Sequence, residues 1–199
     1  MAAAAFPQAM PDPVLRIVIP ALWLGWLLYW LVSARNVKAN RWREPPGSQL
    51  LHRVPLILAA LLLAAPRWMP RVLRARFVPG GTFFPVLGAI LVATGLGFSV
   101  WARRHLGRNW SAHVVVKEDH ALIRTGPYRR LRHPIYTGIL LAFLGMAVTI
   151  GEWRGVLAFA LALLSFGRKS RIEEDRMRET FPEYEQYRRE TAAIIPFIY

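Results

Sequence analysis

Three stretches of this chain contain no charged residue: 17–34 (18 residues), 81–102 (22) and 135–151 (17). Apolar runs of about 17–25 residues suit a helix crossing the roughly 30 Å hydrocarbon core of a bilayer, and they are long for a soluble helix. Two further runs, 54–66 and 155–167, have 13 uncharged residues each and are flanked by Arg and Trp. Such side chains reach back to the interface and lengthen the effective span. With 54% hydrophobic residues and a mean hydropathy of +0.27, the expectation is an all-α, multi-pass transmembrane bundle of about five helices.

The formal charge of +14 invites a nucleic-acid reading, which the distribution of that charge argues against. With the N-terminus outside, segments 35–53, 103–132 and 168–189 carry five, eight and seven Lys/Arg, twenty on one side. The other six are Arg16, Arg67, Arg71, Arg74, Arg76 and Arg154. This is the positive-inside bias, and it places the C-terminus in the cytoplasm. The same basic segments attract anionic headgroups, so membrane lipids are expected partners and nucleic acid is not. The 199-residue chain has no cysteine, which excludes disulfides, thiolate catalysis and Cys-ligated metals. His52, His105, His113, His120 and His133 form no i,i+3 or i,i+4 pair, so no metal site is expected.

The start, residues 1–13, lacks a positive n-region and a small-residue cleavage site, so the first span is expected to remain as an anchor. Residues 35–53, with Pro45-Pro46-Gly47, and 67–81, with Pro70 and Pro79-Gly80-Gly81, are expected to be connecting loops. The chain divides into an N-terminal half, 1–102, holding the first three spans, and a half from 103 to 199. The second half comprises a cytoplasmic connector, a transmembrane hairpin over 135–167 and a polar tail. Gly151-Glu-Trp-Arg154 is short enough to make that hairpin antiparallel. In the tail, Pro182 predicts a helix, a break and a second short amphipathic helix, and the apolar end from Ile194 should pack back on the protein or lie in the interface. Gly95-Leu96-Gly97, inside a span, predicts close helix packing.

Two polar elements stand where the chain meets the bilayer. In Arg132-His133-Pro134-Ile135-Tyr136, Pro134 suits the first helical turn and leaves His133 near the cap. Taken singly, Arg132 could be a snorkelling anchor, Tyr136 an interfacial aromatic and Pro134 a helix starter. Glu173-Glu174 could be a solvated first turn that complements a helix dipole. Polar clusters are costly at this depth, and the glutamates are the main acidic pair on a basic face, which makes the two elements together a candidate site.

Ordered along the chain are His113-Val-Val115, His120-Ala-Leu122, Gly126-x-Tyr128, Arg132-His-Pro-x-Tyr136, Glu173-Glu174, Phe181-Pro-Glu-Tyr184-x-x-Tyr187 and Ile195-Pro-Phe197. This series resembles the isoprenylcysteine carboxyl methyltransferase family and its prokaryotic membrane relatives, over residues 103–199. The resemblance implies an S-adenosylmethionine-dependent enzyme with a cytoplasmic cofactor pocket between the last hairpin and the C-terminal helices. It implies that His120, Leu122, Gly126, Tyr128, His133, Pro134, Tyr136, Glu173 and Glu174 line that pocket and that Arg132 faces the acceptor. A substrate-side arginine of the eukaryotic members falls here on Lys169, beside Arg168. Lysine offers a point charge instead of a planar fork.

Methyl transfer from a sulfonium needs alignment, dehydration and charge balance more than a protein nucleophile. An ionised carboxylate acceptor needs no general base, whereas an amine or thiol would need one, with His113, His120 and His133 as candidates. The expected acceptor is lipid-like or isoprenoid-like and approaches sideways from the bilayer of a prokaryotic plasma membrane. A carboxylate comes first; a phospholipid amine or a small thiol are the alternatives. Sterol reductases, which use NADPH, share an Arg-His-x-x-Tyr element but follow it with Gly-Asp, where this chain has Gly138-Ile139. They also carry Arg-Asp in place of Glu173-Glu174. A non-catalytic membrane scaffold is the remaining reading.

Overall fold

A computed structural model describes residues 13–35, 40–64, 69–107, 110, 115–117 and 122–195. Seven α-helices lie among them: α1 (Pro13–Ser33), α2 (Pro46–Ala64), the single turn α3 (Arg71–Arg74), α4 (Phe83–Leu106), α5 (Pro134–Ile150), α6 (Trp153–Thr180) and α7 (Tyr184–Glu190). Leu15–Ser33, α2 and α4 are long and apolar enough to cross a membrane, and α5 is a shorter apolar helix of 17 residues. Their leucines and isoleucines, such as Ile17, Leu31, Ile57 and Ile90, stand exposed on the outer faces, which marks an integral membrane protein whose solvent there is lipid.

Some expectations need correction. The fold is helical, but it also holds a two-stranded antiparallel ribbon, β1 (Asn40–Arg43) with β2 (Val115–Lys117), in which Trp42 lies opposite Val116 and Arg43 opposite Val115. The loop expected over 35–53 ends early, because Pro46 starts α2 with the missing N–H that a first turn tolerates. Segment 46–53 is polar yet helical; Gln49 and His52 are buried against protein, not lipid. The second span is therefore 19 residues long, not 13. Likewise α6 does not end with its apolar stretch but runs on for 28 residues, so Glu173 and Glu174 sit deep in a continuous helix and not in a first turn.

Within the bundle, α5 is the central helix and its closest neighbour is α4. Gly88 and Gly95 on α4 meet Gly145 and Gly138 on α5, an antiparallel pairing with a seven-residue, two-turn spacing on both helices. A Cβ at Gly138 would stand 2.6 Å from the Gly95 carbonyl, and one at Gly145 would stand 2.6 Å from the Gly88 carbonyl. Lipid supplies no hydrophobic drive between helices, so backbone approach of this kind is what holds them. In Gly95-Leu96-Gly97 only the first glycine serves this purpose, since Gly97 has open space where its side chain would be.

Polar side chains tie helix ends together. Arg154 donates from Nη1 to the carbonyls of Leu62 (2.8 Å) and Leu63 (3.0 Å) while Nε holds Glu152 at 2.6 Å. The last turn of α2 thus receives both hydrogen bonds and a positive charge. Arg103 does the same for α1, donating to Ser33 O at 2.7 Å beneath the face of Trp110. The α5–α6 link is as short as expected: Gly151 turns with φ +64° and bonds back to Ala147 O at 2.9 Å. The break at Phe181-Pro182-Glu183 between α6 and α7 also falls where Pro182 predicts it.

These contacts generate a split prediction for neighbouring glycines. Gly95→Val should lower stability by about 1–3 kcal/mol through overpacking, whereas Gly97→Ala should leave it unchanged or slightly raised, as Ala is the better helix former. Thermal unfolding in detergent checks both, and equal effects at the two positions would contradict the packing.

Candidate active site

The His133–Pro134 step begins α5 with Pro134 at the first helical position and His133 as its cap, at φ −125° and ψ 56°. The His133 side chain makes no cap hydrogen bond, so its ring is available to α6. The backbone of this turn is strapped by the tail: Arg132 N and His133 N donate to Ala192 O and Ala193 O, both at 2.9 Å. Thr137 adds a hydroxyl bond to Ile194 O at 2.5 Å. The preceding 3-10 turn, Gly126–Arg129, is clamped by α7, where the Tyr187 hydroxyl donates to Tyr128 O at 2.6 Å. Ile194 is buried as expected of the apolar end; residues 196–199 lie outside the described residues.

Against this turn α6 presents Lys169, Glu173 and Glu174. The first two are one helical turn apart, with Lys169 Nζ 3.9 Å from Glu173 Oε1. The His133 ring bridges the two carboxylates, Nδ1 lying 3.4 Å from Glu173 Oε2 and Nε2 3.2 Å from Glu174 Oε1. Tyr136, one turn further along α5, donates its hydroxyl to Glu173 Oε1 at 2.6 Å. Arg132 Nε donates to Glu174 Oε1 at 2.7 Å, while its Nη1 donates to the carbonyls of Arg188 (3.0 Å) and Thr191. Arg188 Nε stands 3.6 Å from Glu174 Oε2. Aromatic rings pack against the cluster: Tyr136 lies parallel to His133 (5.4 Å, 3°) and is stacked on Phe166 (4.8 Å, 25°).

The electrostatics follow from this geometry. Burial alone would drive the His133 imidazole towards neutrality, but hydrogen bonds to Glu173 and Glu174 outweigh it and raise its pKa. Both ring nitrogens face acceptors, which is the environment of an imidazolium. Burial would raise the Glu174 pKa, yet the contacts with His133 and Arg132 hold it at about 2. Glu173 is likewise lowered, against its burial, by His133, Lys169 and Tyr136. Burial pushes the Tyr128 and Tyr184 phenols upward and Tyr187 to about 12.

The structure thus brings Arg132, His133, Tyr136, Lys169, Glu173 and Glu174 into one cluster, with Pro134 setting its backbone. It does not bring every expected residue there. Arg168 turns to α2, donating to Ser48 Oγ at 3.2 Å. Gly126, at φ +57°, lies against the His105 ring, where a side chain has no room. Tyr128 is buried in the hydrophobic core beside Trp110 and Ile135, and Leu122 is half-buried in the segment leading to the turn. His113 and His120 lie outside the described residues.

Sequence reasoning missed a buried polar pair beside the cluster. Glu44 is 2% exposed, neither of its carboxylate oxygens has a hydrogen-bond partner among the described residues, and His52 Nδ1 lies 3.7 Å from one of them. Gln49 Nε2 donates to Glu44 O at 2.7 Å, and Ser165 Oγ donates to His52 O at 2.5 Å, which ties the pair to α6. A signal was present: Glu44 is the only acidic residue between Asp12 and Glu118.

Fold and site together define a helical membrane protein with a carboxylate-centred polar site at one end of its last hairpin. Residues 83–184 match the model of the phospholipid methyltransferase family, a little over half of the 199-residue chain. The chain belongs to that family, and the matched region runs from α4 through the histidine–proline turn to the glutamate pair. Among relatives, a cobalt-zinc-cadmium resistance protein, CzcN, of Cupriavidus metallidurans is 30% identical over 146 residues, covering 72% of this chain and 60% of that protein. A probable protein-S-isoprenylcysteine O-methyltransferase of Oryza sativa subsp. indica is 32% identical over 121 residues (58% of this chain, 63% of the relative). The protein-S-isoprenylcysteine O-methyltransferase of Schizosaccharomyces pombe is 33% identical over 97 residues (46% and 41%). The chain spans about three fifths of the length of the first two.

The charge cluster predicts a two-sided pH dependence of stability. A lowered Glu174 pKa stabilises the fold above about 4.5 and loses that contribution as pH falls towards 2. A raised His133 pKa stabilises it below 6.5 and loses that contribution as pH rises through the raised value. Thermal unfolding against pH should therefore show a maximum between about 4.5 and 6.5 for these groups. Glu174→Gln should flatten the acid limb, and Glu174→Ala should cost about 3–5 kcal/mol by stranding Arg132 and His133.

Proposed function

We propose that this protein is an integral membrane methyltransferase that uses S-adenosylmethionine to methylate an amphiphilic acceptor, a carboxylate first among the candidates. The observation that carries the reading is the shared His133 ring, which locks Glu173 and Glu174 to the turn that opens α5, inside the region matched by the family. The named relatives from rice and fission yeast are isoprenylcysteine O-methyltransferases, which supports a lipidated, acidic acceptor. The resistance protein's name states what a cell withstands and identifies no acceptor.

The residues present suit this cofactor. Its ammonium and ribose hydroxyls require acceptors, its carboxylate requires a cation, and its adenine and sulfonium favour aromatic faces. Glu173 and Glu174 supply the acceptors, Arg132 the cation and Tyr136 a neutral ring. When bound, S-adenosylmethionine supplies an activated methyl for in-line transfer. The chain's own task is then to hold, orient and dehydrate. Arg132 is pinned by Glu174 and two tail carbonyls, so it serves best as a fixed positive wall. Lys169, not Arg168, is the candidate for steering an acceptor carboxylate, because only Lys169 reaches the cluster. An imidazolium between two carboxylates is a poor general base, so His133 fits an acceptor already ionised at neutral pH better than an amine or thiol.

In the bilayer we place five crossings: α1, α2, α4, α5 and the apolar half of α6. The arginine-rich connectors put the glutamate cluster and the C-terminal helices on the cytoplasmic side, closing the cofactor pocket.

Calorimetry on the detergent-purified protein tests the assignment. S-adenosylhomocysteine should bind, NADPH should not, and Glu173→Gln should weaken the first by about 10–100-fold, the worth of a charged hydrogen bond. Binding of NADPH alone, or undiminished affinity in the variant, would contradict it.

A further inference from the structure

A cleft of about 1270 Å³ lies between the outer face of α4, the 126–132 turn and α7 with the tail behind it. Arg132 lines it, while His133 and Tyr136 do not. One wall is apolar and belongs to the membrane helix: Phe98 is half-buried and Trp101 is 47% exposed. Trp101 stands one turn before the end of α4, just ahead of Arg103 and Arg104, the depth at which aromatic side chains mark the hydrocarbon–headgroup boundary.

The other wall is guanidinium. Arg129, Arg130 and Arg189 line the cleft, are exposed, and make no ion pair among the described residues. The carboxylates of the same wall are engaged, Glu185 with Arg178 (3.5 Å) and Arg188 (3.4 Å), and Glu190 with Gln186 (3.0 Å). Three arginines without an ion pair among the described residues, facing an apolar strip at the depth where headgroups lie, match one ligand shape: an anionic group carried on a hydrocarbon chain.

We propose that this cleft binds the phosphate of an anionic phospholipid from the surrounding leaflet, with the headgroup on Arg129, Arg130 and Arg189 and an acyl chain along Phe98 and Trp101. Arginine takes phosphate oxygens in pairs, which gives the headgroup a fixed seat beyond mere attraction to a charged surface. The site also communicates with the carboxylate cluster, because Arg188 lines the cleft and reaches Glu174 at 3.6 Å. A phosphate that draws Arg188 towards it loosens that contact. The cleft would hold such a lipid whatever reaction the cluster performs.

The test uses the full chain in nanodiscs of equimolar phosphatidylglycerol and phosphatidylcholine, followed by extraction into neutral detergent and mass spectrometry of the retained lipid. The wild type should retain phosphatidylglycerol over phosphatidylcholine by at least about tenfold, given roughly 1 kcal/mol per basic residue near the headgroups. The triple variant Arg129→Ala/Arg130→Ala/Arg189→Ala should lose that preference, and Trp101→Ala should weaken retention while keeping the preference. Thermal unfolding of each variant confirms that the fold is intact; should the triple variant unfold, Arg129→Ala/Arg130→Ala carries the comparison. Glycerol phosphate added to the wild type separates a lipid from its headgroup alone and should not displace the retained lipid. Equal retention of the two lipids, an unchanged preference in the folded arginine variant, or ready displacement by glycerol phosphate would each overturn the proposal.

Discussion

Everything in the polar half of this molecule depends on one imidazole held between two adjacent glutamates. A carboxylate buried without a partner is costly, and two neighbouring ones repel, so Glu173 and Glu174 are tenable only while a cation lies between them. His133 supplies it, and the cost of its own burial is offset only because both carboxylates are present. The arrangement therefore binds α6 to the start of α5 more specifically than apolar packing does. Register matters here: a rotation of α6 by one residue would exchange a glutamate for Ile172 or Asp175 at the ring.

The rest of the fold makes that meeting possible. Glycines at 88, 95, 138 and 145 let α4 and α5 approach to backbone contact, and the two-residue link at Gly151 returns α6 beside α5 in a fixed register. Because α6 continues unbroken past its apolar stretch, the side chains beyond that stretch are positioned by a rigid rod and not by a loop. The tail then runs back beside residues 130–133, accepting from Arg132 N and His133 N and donating from Ala192 N to Arg130 O. Arg132 illustrates the economy of the result, since one guanidinium neutralises Glu174 and also fastens the strap.

Much of this was legible in the chain. Charge-free runs located α1, α4 and α5, the positions of Pro134, Gly151 and Pro182 marked where helices begin and end, and the order of polar motifs pointed to the glutamate pair. The errors have a common origin. Charge marks a boundary in a sequence even where polar residues face protein: segment 46–53, expected as loop, belongs to α2, and Glu173, expected in a first turn, lies in the interior of α6. The ribbon of β1 with β2 joins segments more than 70 residues apart, a pairing that short strands of four and three residues do not announce. Glu44 went unnoticed because burial of a lone acid leaves no periodicity, although its isolation in a basic region was visible. Lys169 holds the position of the substrate-side arginine with Arg168 beside it, and only the helix geometry shows that the first reaches the cluster while the second turns to Ser48.

The central claim is that His133 is an imidazolium shared by Glu173 and Glu174. Nitrogen-15 NMR of histidine-labelled protein in detergent, with His133 assigned through a His133→Asn variant, reads this state directly. The account predicts both ring nitrogens protonated at pH 6.5 and still so as pH rises beyond it. A neutral ring at pH 6 would contradict it, and with it the electrostatic lock on which the site is built.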